Sequence, residues 1–141
     1  MKYMMENTKK KILIVDDDKF LLDMYSIKFS EHGFELRSAE GGQEALKQVS
    51  GEWRPDIYLV DIIMPGMDGF QLIEELKRTG RREGSAIVVL SNLGQKEDIE
   101  KALALGVDGY IIKASATPSE VVTRVGDIAQ HLSASRPPVT P

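Results

Sequence analysis

Four short apolar runs dictate what this chain can become: ILIV at 12–15, IYLV at 57–60, AIVVL at 86–90 and YII at 110–112. Each is rich in β-branched residues and lacks the polar alternation of a strand with one wet face. As strands they must be covered on both sides, and that pattern belongs to parallel sheets. Between them lie stretches with helical spacing. In 18–32, Phe20, Met24, Ile27 and Glu31 fall on successive turns beside Leu21, Tyr25 and Phe29, and Gly33 supplies the stop. A fifth strand, wet on one face, is predicted where Phe34 and Leu36 alternate with Glu35 and Arg37. Short helices are predicted over 41–50, 69–78 (inward stripe Phe70, Ile73, Leu76, with Leu72) and 96–105. Thr117, Pro118 and Glu120 read as N-cap, N1 and N3 of a last helix reaching about Leu132. The order is βα five times over with short connections, so an α/β fold with a doubly wound parallel sheet is expected.

A length of 141 residues fits one domain. It is expected over 10–132, between a flexible tail at 1–9 and a disordered tail at 133–141. With no cysteine, the chain has no disulfide, thiol nucleophile or zinc–thiolate site. The N-terminus lacks an apolar signal core and no segment is long enough to span a membrane, so a cytoplasmic protein is expected. Eighteen basic against 22 acidic residues argue against a nucleic-acid-binding surface.

Open α/β sheets bind ligands beyond the carboxyl ends of their strands. The polar residues due there are Asp16, Asp17 and Asp18 after the first strand, Asp61 after the third, Ser91 after the fourth and Lys113 after the fifth. Asp18 is most simply a helix N-cap. Clustered carboxylates repel by roughly 1–4 kcal/mol per pair at 4 Å, so such a cluster implies a cation. Oxygen donors without histidine or cysteine suit Mg²⁺. Three carboxylates, one ammonium and a divalent cation make a neutral site, ready for a phosphoryl group with a carboxylate as nucleophile.

With these residues in view, the chain resembles a response-regulator receiver domain, the phosphoacceptor module of two-component signalling. The matching pieces are ILIVDDD, DIYLVDIIMPGMDGF, AIVVLSN and GVDGYIIKA. The resemblance implies a flavodoxin-like sheet of order 2-1-3-4-5 with five helices. It implies that Asp61 is the phosphorylated residue, with Mg²⁺ held by Asp16, Asp17, Asp61 and the backbone carbonyl of Ile63. Ser91 and Lys113 would contact the phosphoryl group, and Tyr110 would be the switch aromatic that turns inward as Ser91 moves. It further implies a sensor histidine kinase or histidine phosphotransfer protein as phosphodonor. A downstream protein would be reached through the face of helix 4, strand 5 and helix 5, by a monomer or a weak phosphorylation-dependent dimer. The domain would be a switch that catalyses only its own phosphorylation and dephosphorylation. Only nine residues follow Leu132, so no output domain is expected within this stretch.

The chain departs from the family pattern at Ala114, where proline usually follows the lysine, often through a cis bond. Either that bond is cis here or Lys113 is held differently. Asn92 replaces a small alanine after the serine, where it is expected either to crowd the route to Asp61 or to act as a local cap. Ile63 and Leu93 put apolar side chains beside the reactive carboxylate and are expected to slow hydrolysis of a phosphoryl-aspartate. Two other readings compete. A phosphatase of the haloacid dehalogenase type also uses a D-x-D after its first strand, but it needs a cap insertion and further acids after the fourth strand. A receiver-like scaffold would need none of Asp16, Asp17, Asp61, Ser91 and Lys113. His32, His131 and the basic loop of Arg78, Arg81 and Arg82 read as ordinary surface residues.

Overall fold

A computed structural model describes residues 9–135 of the chain, with side chains through His131. The strands are β1 (Lys11–Val15), β2 (Glu35–Ala39), β3 (Ile57–Val60), β4 (Ala86–Ser91) and β5 (Gly109–Ile112). The helices are α1 (Lys19–Glu31), α2 (Gly42–Gln48), α3 (Gly69–Arg78), α4 (Lys96–Ala104) and α5 (Pro118–Ser135), with a 3₁₀ turn at Lys113–Ser115. All strand pairs are parallel, in the order β2-β1-β3-β4-β5. This is the expected sheet. The expected tails at 1–8 and 136–141 lie outside the described residues. Residues 133–135 fall in α5, which runs three residues past the expected end at Leu132.

The pleat divides the core in two. Leu13, Val15, Tyr58, Val60, Ile87 and Val89 face one side and are covered by Ala45, Leu72, Ile73, Leu76 and Ala102 of α2, α3 and α4. Ile12, Ile14, Ile57, Leu59, Val88, Leu90 and Ile111 face the other, under Leu22, Tyr25 and Phe29 of α1 and Val121, Val122, Val125 and Ala129 of α5. Alternate residues of one strand thus enter different halves of the core, which is why those runs carry no polar position. The α3 stripe is as expected: Phe70, Leu72, Ile73 and Leu76 are all buried.

The stripe expected for α1 is corrected. Phe20 is 87% exposed and Ile27 61% exposed, while Leu22, Tyr25 and Phe29 point inward. Apolar residues occur all round this helix, so periodicity alone does not set its phase. Packing on the sheet does, while Asp18, which accepts from the N–H groups of Phe20 (3.0 Å) and Leu21 (3.2 Å), fixes only where the first turn begins. At α5 the predicted reciprocal cap forms. The Thr117 N–H donates to Glu120 Oε1 (2.8 Å) and the Glu120 N–H donates to Thr117 Oγ1 (3.1 Å). A second such box, Asp68 with Gln71, starts α3.

The basic loop after α3 stitches the fold. Arg78 pairs with Glu75, Arg81 donates to the Ser50 carbonyl, and Arg82 bonds Asp108 (2.9 Å), Gly106 and Ser85. No helix among the described residues is long and apolar enough to cross a membrane.

Candidate functional site

The sheet delivers its polar residues to one rim. Asp16 follows β1, Asp61 follows β3, Ser91 closes β4 and Lys113 opens the turn after β5. Asp16, Asp61 and Ser91 are buried, while Asp17 is exposed. Lys113 Nζ sits between two carboxylates, 2.7 Å from Asp16 Oδ2 and 2.9 Å from Asp61 Oδ2. Asp16 Oδ1 also accepts from the Asp18 N–H at 2.9 Å, so each of its oxygens has a partner. Asp61 Oδ1 accepts a longer bond from the Ile63 N–H at 3.3 Å.

Burial pushes the Asp16 carboxyl above the usual carboxylate range, against the lowering effect of Lys113 and the Asp18 N–H. Burial by itself would lower the Lys113 ammonium, but its bonds to Asp16 and Asp61 outweigh that and raise it. Lys113 stays charged at neutral pH.

Asp16, Asp17 and Asp61 each bring a carboxylate oxygen within 4.8 Å of the other two. With Lys113 they leave two negative charges, which a divalent cation balances. The donors are hard oxygens, and neither histidine of the chain is in the group, so the set fits Mg²⁺ better than a soft metal. The backbone under Asp61 is tightly packed. A Cβ at Gly69 would collide with the Asp61 carbonyl oxygen and come within 2.7 Å of Ile62 Cα. The Gly69 N–H donates to the Ile62 carbonyl at 2.9 Å. Gly66, at φ +75°, turns the loop between them.

A family model described as the response regulator receiver domain matches residues 12–125. The chain belongs to that family. It is similar to the chemotaxis protein CheY of Halobacterium salinarum, 35% identical over 120 residues, covering 84% of this chain and 96% of that protein. It is also similar to the phosphate regulon transcriptional regulatory protein PhoB of Escherichia coli, 32% identical over 124 residues, 88% of this chain and 53% of PhoB. This receiver chain therefore spans about half the length of PhoB. Among solved structures, a CheY-like receiver domain protein from Methanospirillum hungatei superposes with a TM-score of 0.83 at 26% identity, covering 92% of this chain and all of that one. The Vibrio cholerae chemotaxis protein CheY4 gives 0.79 at 25% identity, covering 86% and 99%. The fold is thus the flavodoxin-like fold of the receivers.

The remaining predicted residues lie around the receiver's acidic cluster. Ser91 Oγ accepts from the Leu93 N–H at 3.3 Å. Tyr110, half-buried on β5, donates its hydroxyl to the Leu93 carbonyl at 2.6 Å. Ile63 is 57% exposed at the mouth, and Leu93 is half-buried. No cis peptide bond occurs among the described residues, so of the two possibilities raised by Ala114 the second holds: Lys113 is held through its two carboxylates and a 3₁₀ turn. Sequence reasoning missed two contributors. One is Gly69, whose lack of a side chain matters only because the Asp61 backbone lies against it. The other is a bond from the Ala114 N–H to Asn92 Oδ1 (3.0 Å), between the loop after β4 and the turn after β5.

Proposed function

We propose that this receiver is a phosphorylation switch with Asp61 as its acceptor. The observation that carries the reading is the convergence of Asp16, Asp17 and Asp61 on one rim, with a single ammonium bridging the two buried members. The donor is a phosphohistidine on a sensor histidine kinase or a histidine phosphotransfer protein. One Asp61 carboxylate oxygen attacks phosphorus and a P–O bond forms. The P–N bond breaks, and its electron pair leaves on the imidazole nitrogen of a ring that keeps its other proton. The product is an acyl phosphate. Asp16, Asp17, Asp61 and the Ile63 carbonyl would hold Mg²⁺, which supplies charge neutralisation for the phosphoryl oxygens when bound.

Lys113 exchanges one carboxylate partner for the phosphoryl group. Ser91 gives up the Leu93 N–H and turns its hydroxyl to a phosphoryl oxygen. Tyr110 follows, because its hydroxyl is tied to the same loop. The face made by α4, β5 and α5 then shifts between two packings and changes its affinity for a downstream protein. The receiver acts as a monomer or a weak phosphorylation-dependent dimer in the cytoplasm, without direct contact with nucleic acid.

The test is incubation with acetyl phosphate and Mg²⁺, read by intact mass. A gain of one phosphoryl group that disappears in Asp61→Asn supports the reading. A gain that survives the substitution moves the nucleophile to the acids after β1. No gain in the wild type favours a scaffold that works without phosphorylation.

A further inference from the structure

Asn92 lies one residue past Ser91, and Ala114 one residue past Lys113. Their bond runs from the Ala114 N–H to the Asn92 side-chain carbonyl at 3.0 Å, across the gap between the loop after β4 and the turn after β5. At position 114 a proline would offer no N–H, and it would disfavour the helical backbone that Lys113 adopts in its 3₁₀ turn. Alanine permits that turn but leaves an N–H in its first residues without a backbone acceptor. Asn92 provides the acceptor.

The same three-residue stretch is held twice more. The Leu93 N–H donates to Ser91 Oγ, and the Leu93 carbonyl accepts from Tyr110. Tyr110 ties the loop to strand β5, while Asn92 ties it to the turn that carries the ammonium. Lys113 Nζ rests on Asp16 and Asp61 in this structure. When Asp61 becomes an acyl phosphate, one of those two anchors changes chemically. The backbone anchor at Ala114 does not change, so it sets the point from which the lysine side chain reaches.

We propose that Asn92 is a positioning residue that locks the serine loop to the lysine turn, so that Ser91 and Lys113 meet the phosphoryl group as one unit. This rests on the reading of Asp61 as the acceptor. Because α5 starts at Pro118, four residues after Ala114, the lock also passes any shift of the serine loop to the beginning of that helix.

The test uses the whole chain and two readouts. The first is solvent exchange of the Ala114 amide by NMR, which needs no phosphoryl transfer. The second is the rate of phosphorylation by acetyl phosphate at saturating Mg²⁺. In Asn92→Ala the amide is expected to exchange roughly three- to tenfold faster, the range for losing one hydrogen bond, with a fall in phosphorylation rate of similar size. Asn92→Asp keeps an acceptor at the same reach and is expected to restore both. Unchanged Ala114 exchange in Asn92→Ala overturns the lock. Faster exchange with an unchanged phosphorylation rate overturns its role in positioning. If the wild type takes up no phosphoryl group, the acceptor reading and the positioning role both fail. That outcome is recognised because Ala114 exchange still responds to Asn92→Ala.

Discussion

Lys113→Met removes an ammonium and keeps most of the aliphatic stem, so packing is largely preserved while Asp16 and Asp61 lose their common counter-charge. Their side chains are 5% and 8% exposed, and the lysine approaches them to 2.7 and 2.9 Å. Removing one partner from a buried ion pair costs roughly 3–5 kcal/mol. The loss has a ceiling, because one carboxylate can take up a proton instead. At pH 7 that costs about 4 kcal/mol for a carboxylate of ordinary acidity. The expected destabilisation in EDTA is therefore about 3–4 kcal/mol, measured by urea unfolding. Mg²⁺ returns stability through binding, about 2.7 kcal/mol at a hundredfold excess over its dissociation constant. The return is larger in the variant, because Mg²⁺ there supplies the counter-charge that Lys113 supplied in the wild type. A loss below about 1 kcal/mol in EDTA, or no greater Mg²⁺ stabilisation in the variant than in the wild type, refutes the reasoning.

Gly69→Ala is expected to cost roughly 1–3 kcal/mol, read as a lower melting temperature, because its methyl group meets the Asp61 carbonyl; it also slows phosphorylation by acetyl phosphate. Burial pushes the Tyr58 phenol up to about 12, against the lowering influence of Arg54, Arg81 and Arg82. The unfolded phenol ionises near 10, so this stabilisation is complete below pH 10 and is lost as pH rises toward 12. Between pH 9 and 11.5 the wild type is expected to lose about 2 kcal/mol more than Tyr58→Phe in urea titrations. Ile63→Ser leaves stability within about 0.5 kcal/mol, since the side chain is exposed, but shortens the phosphoryl-aspartate lifetime several-fold in a phosphate-release assay. A wild-type half-life of only seconds would sink that expectation.

The sheet was legible in the residues because four apolar runs without polar alternation leave a chain few alternatives. The rim acids were legible for a related reason: the carboxyl end of a parallel strand is fixed in space once the strand is, so Asp16, Asp61, Ser91 and Lys113 had to arrive together. Local capping at Asp18 and Thr117 was legible too, since a cap depends on residues two or three apart. The phase of α1 was not. Phe20 and Ile27 offer the same hydrophobicity as Leu22 and Phe29, and only packing on the sheet distinguishes them.

By itself, then, the sequence determined the alternation of strands and helices along the chain, the two-sided burial of the sheet and the set of charged groups at its rim, because those follow from periodicities of two and 3.6 residues and from short-range hydrogen bonds. The tertiary structure decided how the groups are held. It placed one ammonium between two carboxylates 45 residues apart in the chain, a glycine under the Asp61 carbonyl and the Asn92 amide against the N–H of Ala114, 22 residues away. The ion pairs and the Asn92 bond are contacts between distant segments, set by strand register and loop shape, and the glycine, eight residues from Asp61, is required by the tight path of the loop between them.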